Sequence, residues 1–173
     1  SMGDPRFLRS VVYMVAHDSE GAMGFVINKR AEGLSLGDIL KDMPETVAKT
    51  GLVNLPVYVG GPVQNDRGFV LHTSDYEKTH NTLSQELPIA LTQSADVLVD
   101  AAHGSGPEKM RLFLGYAGWG PGQIEGELQD NAWLVCDANI AEIFTSRSDD
   151  LYEKCVAAMG IDLALLSNEG GEA

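Results

Sequence analysis

The chain has 173 residues and a formal net charge of −13, from 12 Lys and Arg against 25 Asp and Glu. A content of 44% hydrophobic and 21% charged residues excludes a disordered or fibrous protein and favours one globular domain, 1–173. No apolar stretch approaches the roughly 20 residues of a membrane helix, and the acidic balance argues against autonomous DNA binding, which needs Lys and Arg on phosphates.

Two strands open the chain. Segments 8–17 and 22–29 are rich in apolar and β-branched residues, and the short polar turn between them predicts an antiparallel hairpin. A short helix is expected over 36–43, with Ser35 as its N-cap and Asp38 three residues further on, as in a capping box. Strands are predicted next at 56–59 and 68–73.

The second half alternates irregularly between strands and helices. The predicted elements are a loop-rich stretch at 76–86, a strand at 88–91, a helix capped by Ser94 that ends at Gly104, a strand at 111–117, a short helix carrying Ile124 and Leu128, a strand at 133–136 and two closing helices. Because no βαβ repeat is present, we expect an α+β fold with a mixed, largely antiparallel, curved sheet.

Glycine clusters around the strand at 111–117, and seven of the 19 glycines lie between residues 104 and 126. A strand, glycines and a helix start can present backbone N–H groups to an anion. The dinucleotide fingerprint nevertheless fails because Gln123 stands where it needs glycine, and no Walker Gly-Lys-Ser/Thr sequence exists. A tight backbone bend is the favoured interpretation, and a small-molecule cleft beside Trp119 is the alternative.

The sequence at 33–37, Gly-Leu-Ser-Leu-Gly, matches the G-x-S-x-G pattern of α/β-hydrolases. That pattern needs a strand leading into the serine, whereas the residues at 29–32 are polar, and Ser35 suffices as a helix cap. We therefore predict that a serine-reactive fluorophosphonate does not label Ser35.

The histidines and cysteines show no metal-ligand spacing. The two cysteines, Cys136 and Cys155, form no C-x-x-C pattern, so a reducing cytoplasm is the expected compartment and no metal or cofactor is expected. Cys155 lies in an apolar helical stripe and is expected to be inert, which leaves Cys136 as the more reactive thiol.

Several segments, in this order, resemble the AlgH/YqgE family of bacterial proteins. They are 10–13 (SVVY), 21–28 (GAMGFVIN), 57–63 (VYVGGPV), 67–72 (RGFVLH), 115–119 (GYAGW), 122–127 (GQIEGE) and 131–134 (NAWL). Two differences stand out. Family members usually begin with an additional strand, which is expected to be missing here, and they tend to end in Gly-His-Ala where this chain has Gly-Glu-Ala.

The resemblance implies a bifurcated sheet curled into a pseudo-barrel with flanking helices. It also implies a regulatory role, since the family name comes from the control of alginate biosynthesis genes, but it supplies no catalytic residue and no cofactor. We expect the shared motif residues to line one ligand-binding cleft: Asn28, Gly60, Gly61, Arg67, His72, Trp119, Gln123 and Glu125.

Three functional hypotheses follow. The first is a non-enzymatic cytoplasmic regulatory or adaptor protein that acts through a protein or small-molecule partner and contacts neither DNA nor membrane directly. The second is a ligand-binding protein or hydrolytic enzyme that uses a cleft near residues 118–125, with Glu125 as general base and Gln123 or Asn28 orienting the substrate. The third is a module that forms homo-oligomers through an exposed sheet edge.

Overall fold

The computed structural model describes residues 8–39, 45, 50–76, 82–84, 89–93, 95–145 and 150–160. The strands in these ranges are β1 (Val12–Asp18), β2 (Gly21–Val26), β3 (Arg30–Ser35), β4 (Pro56–Val59), β5 (Val63–Thr73), β6 (Thr82–Ser84), β7 (Ile89–Thr92) and β8 (Met110–Trp119). The helices are α1 (Leu36–Ile39), α2 (Asp96–Ala102), α3 (Gln123–Gln129), α4 (Ile140–Thr145) and α5 (Leu151–Ala158), with a 3₁₀ turn at Gly51–Asn54. No helix within the described ranges is long and apolar enough to cross a membrane.

The strands form one branched sheet around β8. Its main path runs β1-β2-β8-β5-β7-β6, and β3 and β4 form a branch that joins β8 through a parallel β4–β8 pairing. Residues 112–114 of β8 lie between β4 and β5, whereas residues 117–119 pair with β2. The predicted mixed, largely antiparallel and bifurcated sheet is thus confirmed. Among the described strands, the terminal strands β1 and β6 do not pair with each other, so the sheet is not closed into a barrel.

Both faces of the sheet are buried. Each strand contributes to both, since its successive residues point to opposite sides. Phe113 of β8 packs in a cluster with Phe25 and Phe69, which α4 and α5 cover through Ile143 and Leu151. The opposite face packs against α1 and α2 in a second cluster, made of Leu36, Val57, Val70, Tyr76, Val97, Leu98 and Leu112.

The hairpin of β1 and β2, the strand at 56–59, the helix containing Ile124 and the two closing helices are confirmed. The predicted cap of α1 is confirmed as well, since Asp38 accepts hydrogen bonds from both the N–H and the hydroxyl of Ser35. The proposed cap Ser94 lies outside the described residues, and α2 ends two residues before Gly104.

Two predictions about strands are wrong. The polar segment at 29–32 was not expected to be extended, yet it leads into β3, an edge strand that β4 pairs on one side. The apolar segment at 133–136 was expected to be a strand and is irregular instead, with Leu134 and Val135 exposed. The segment pairs with none of the described strands, so an apolar run is not by itself sufficient to make a strand.

Candidate functional site

The glycine-rich bend connects β8 to α3. The side-chain oxygen of Gln123 accepts a hydrogen bond from the Gly120 N–H at 2.9 Å, and Gly122 adopts a left-handed φ of +72° just before the helix. Glycine tolerates this conformation without the steric cost that a Cβ brings. The glycines and Gln123 therefore have a local structural role, whether or not a ligand also binds here.

Beside the bend, Glu125 of α3 contacts His17 at the end of β1. The distance between His17 Nε2 and Glu125 Oε1 is 2.5 Å, and each side chain is about half exposed. The hydrogen bond from His17 is the main reason that the pKa of Glu125 lies below its ordinary value. Sequence reasoning missed His17, because 108 residues separate the two partners and no motif links them.

Trp119 lies beneath this pair rather than in an open cleft. It is buried against Ala117 and Ile124, and its ring meets that of Trp133 edge to face at 6.0 Å. The chain then leaves this small aromatic cluster and exposes Leu134 and Val135.

His72 occupies a different part of the sheet. Its side chain is fully buried, with Nδ1 donating to the Thr73 carbonyl and Nε2 accepting from the Thr92 hydroxyl, each at 2.8 Å. Burial lowers the pKa of His72, although the Thr73 carbonyl and Asp75 act in the opposite direction. A neutral, fully hydrogen-bonded histidine fits a structural role.

The eight candidate residues do not meet in one cleft. His72 pairs with Met110 at one end of β8, and Trp119 is nine residues further along the same strand, which places them about 30 Å apart. Arg67 lies exposed on β5. The structure does bring together three of the eight: Trp119, Gln123 and Glu125.

The remaining candidates are Asn28, Gly60 and Gly61, and each lies where two backbone segments meet. The amide of Asn28 binds the backbone on both sides of residue 10, accepting from the Val11 N–H and donating to the Arg9 carbonyl, each at 2.9 Å. A Cβ on Gly60 would lie 2.3 Å from the Gly115 carbonyl oxygen, so only glycine allows these two backbones to approach. Gly61 is packed equally closely on Tyr116.

A groove of about 850 Å³ lies along β3, a site that sequence reasoning did not predict. Its lining residues are Arg9, Asn28, Lys29, Arg30, Ala31, Glu32, Gly33, Leu34, Ser35, Asp38 and Tyr152. Lys29 donates to the Leu8 carbonyl at 2.9 Å, and Arg9 pairs with Glu153 while its guanidinium lies 4.8 Å from the ring centre of Tyr152.

The G-x-S-x-G serine also faces this groove. Ser35 does end a strand and precede a helix, which is the order that a nucleophile elbow requires. The strained backbone of an elbow is missing, however, because the described non-glycine residues with positive φ are Arg9, Gln64 and Asn131. The N–H and the hydroxyl of Ser35 both donate hydrogen bonds to Asp38, and these two bonds hold the pKa of Asp38 below its usual range.

The two cysteines lie in contact and both are free thiols. Burial is the main cause that raises the pKa of Cys155 to about 11, whereas Cys136 is exposed. Among the described residues, no three His, Cys, Asp or Glu side chains come together as a set that could hold a metal ion.

The chain is similar to known bacterial proteins over nearly its whole length. The sequence model of the AlgH-like family matches residues 1–164. A UPF0301 protein of Ruegeria pomeroyi is 42% identical over 172 residues, covering 99% of this chain and 93% of the relative. A UPF0301 protein of Rhodospirillum rubrum is 45% identical over 178 residues, covering 99% of this chain and 88% of the relative.

Two solved structures are similar in fold. The solution structure of the AlgH protein from Pseudomonas aeruginosa has a TM-score of 0.78 and 42% identity, and the match covers 99% of this chain and 89% of that one. The crystal structure of protein DIP2367 from Corynebacterium diphtheriae has a TM-score of 0.63 at 20% identity, with 86% and 76% covered. The second likeness concerns the fold alone.

Proposed function

The chain belongs to the AlgH-like family, and from that premise we propose that it is a non-enzymatic, cytoplasmic regulatory or adaptor protein that acts by binding another protein. The observation that carries this proposal is the pair of exposed apolar side chains next to the Trp119–Trp133 cluster. Leu134 is 61% exposed and Val135 is 75% exposed, and they are adjacent in a segment without helix or strand. Contiguous apolar surface on a soluble domain is characteristic of interaction sites.

The charge distribution favours a protein partner over DNA. A net charge of −13 repels the phosphate backbone, and three of the basic residues are gathered in the β3 groove rather than along a helix that could enter the major groove. A regulator with this surface would change transcription through another protein.

The arrangement around the polar side chains supports binding more than catalysis. The Ser35 hydroxyl is hydrogen-bonded to a carboxylate, and none of the residues that line its groove is a histidine that could take its proton. His72, in turn, uses both ring nitrogens in hydrogen bonds within the core.

A photo-crosslinking amino acid at position 134 tests the proposal in extract of the source bacterium. We expect covalent adducts to a small set of proteins, and we expect the additional substitution Val135→Ser to reduce them. The same crosslinker at Val59, which is 42% exposed on β4, is the matched control and should not capture this set. Identical adducts from both positions would contradict a specific surface at 134–135, and nanomolar duplex-DNA binding that collapses with salt would contradict indirect action.

A second candidate function is ligand binding or hydrolysis at the bend near residues 118–125, because His17 and Glu125 form the type of pair that moves protons in catalysis. Thermal unfolding against nucleotides, sugar phosphates, amino acids and divalent metals tests it. A ligand at 100 times its Kd should stabilise the fold by roughly 2.7 kcal/mol, and Glu125→Gln should abolish the shift. The control is Asp130→Asn at the end of α3. A shift that survives Glu125→Gln would remove this assignment.

A further inference from the structure

The groove along β3 has a charge gradient. Arg9, Lys29 and Arg30 lie at its β2-side end, and Asp38 lies beyond the other end of the strand. The strand is irregular between these two points, since Arg30 pairs with Tyr58 and Ser35 pairs with Pro56, so five residues of β3 lie against two of β4. A chain of net charge −13 thus places three of its 12 basic residues together.

At this end, Arg30 has no charged partner among the described residues. Lys29 is hydrogen-bonded to the Leu8 carbonyl, and Arg9 is paired with Glu153. Within the described part of the chain, the Arg30 side chain makes no hydrogen bond and no ion pair. An exposed arginine that is held on a strand at the mouth of a groove is available to an anion.

A second arginine lies behind it without a counter-ion. Arg111 of β8 is only 8% exposed, its guanidinium carbon is 4.5 Å from the ring centre of Tyr58, and its buried Nη1 has no hydrogen-bond partner among the described residues. Tyr58 is in register with Arg30 across the β3–β4 pairing, so the same tyrosine connects the two arginines. No carboxylate among the described residues pairs with either one.

This arrangement is electrostatically unfavourable, because one of two neighbouring arginines is buried. Burial is the main cause that lowers the pKa of Arg111; Tyr58 acts in the opposite direction, and the charge of Arg30 adds a smaller lowering effect. Buried guanidinium groups are ordinarily compensated by an anion. An anionic ligand in the groove would bring the negative charge that compensates these two guanidinium groups.

We propose that the β3 groove binds a small phosphorylated polyhydroxyl molecule, with its phosphoryl group at Arg30 and its hydroxyls directed toward Glu32 and Asp38. A phosphoryl group carries close to two negative charges and matches the planar donors of arginine. The carboxylates of Glu32 and Asp38 accept hydrogen bonds from hydroxyls and repel a second anion. The volume of about 850 Å³ suits a molecule of this size.

The experiment is a titration of the intact chain, followed by amide chemical shifts, with three probes: inorganic phosphate, ribose 5-phosphate and ribose. We expect ribose 5-phosphate to bind more tightly than phosphate, ribose not to bind, and the shifted amides to lie along β3. Binding of phosphate alone, with no gain from the sugar, would overturn the assignment to a phosphorylated small molecule. If neither inorganic phosphate nor ribose 5-phosphate binds, even at ten times the millimolar concentrations ordinarily used in such titrations, the anion site is overturned.

Substitutions locate the site. Arg30→Gln should weaken ribose 5-phosphate binding by about tenfold or more, since a charge-assisted hydrogen bond is lost. Arg67→Gln removes the same charge from exposed β5 outside the groove and should leave the affinity within about twofold. Equal affinities of wild type and Arg30→Gln would refute the proposal.

Arg111→Met provides a second variant that keeps the exposed surface of the groove. It should weaken the same binding severalfold, because the charge behind Tyr58 is removed. These outcomes are independent of the crosslinking at position 134, so each proposal can fail while the other survives.

Discussion

His72 and Arg111 are both buried on the central strands of the sheet, yet their surroundings differ. On β5, both ring nitrogens of His72 are hydrogen-bonded to neighbouring groups. On β8, Arg111 has an aromatic ring beneath it, and its guanidinium Nη1 has no partner in the part of the chain that the structure describes. A satisfied buried polar group stabilises the fold, whereas an unsatisfied one costs stability and needs another reason to be there. This difference separates the structural residues from the candidates for binding.

The largest effect on the free energy of unfolding is expected when the His72 side chain is removed, and removal of the Arg111 side chain is the comparison. His72→Ala should lower the free energy of unfolding by about 2–4 kcal/mol, because it leaves a cavity and an unpaired Thr92 hydroxyl. Arg111→Met should change it by no more than about 1 kcal/mol, since loss of the contact with Tyr58 is offset by removal of an unpaired buried charge. Urea unfolding in phosphate-free buffer measures both. Equal large losses would make Arg111 a structural residue too.

The pH dependence of unfolding tests whether His72 is neutral in the folded protein. Because burial lowers the folded-state pKa of His72 below the unfolded value of 6.5, its neutral form stabilises the protein fully above that pH. Stability should then fall as the pH drops below 6.5 toward the folded pKa, by at most about 1.4 kcal/mol per pH unit.

The measurement is urea unfolding from pH 7.5 to 5.5, with His103→Asn as the control for an exposed histidine. The His72 ring signals in an NMR titration should remain those of the neutral form over most of this range. A midpoint for His72 at or above 6.5 would contradict the buried, neutral assignment.

Sequence reasoning predicted the strands and helices that have strong local signals. The hairpin, the strand at 56–59 and the cap formed by Ser35 and Asp38 depend on neighbouring residues, and they are confirmed. β3 was missed because an exposed edge strand lacks apolar alternation, and the strand at 133–136 was wrongly predicted because an apolar run does not by itself supply a pairing strand.

The sites were harder to predict for a related reason. The contact of His17 with Glu125 and the approach of Arg111 to Arg30 across Tyr58 join residues that are far apart in sequence. Neither has a motif, because pairing of nonconsecutive strands creates the proximity. The shared family motifs instead marked close backbone approaches such as that of Gly60 to Gly115, which serve packing.

A smaller effect is expected at the mouth of the groove. Ser35→Ala removes the hydroxyl bond to Asp38 but keeps the backbone one, and it should cost about 1 kcal/mol or less in urea unfolding. A fluorophosphonate probe should add no mass to the wild-type serine, since its oxygen is not activated by a base. Stoichiometric labelling lost in Ser35→Ala would restore the hydrolase interpretation.

The smallest effect is expected for Glu125→Gln, beside the turn that joins β1 and β2. Glu125 and His17 are each about half exposed, so water replaces much of what their contact provides, and salt screens the rest. The melting temperature should stay within about 1 °C of wild type, because an exposed pair contributes little. A drop of several degrees would place this pair with His72 among the structural residues. An unchanged melting temperature, together with a ligand shift that the substitution abolishes, would instead identify it as a binding site that the fold does not need.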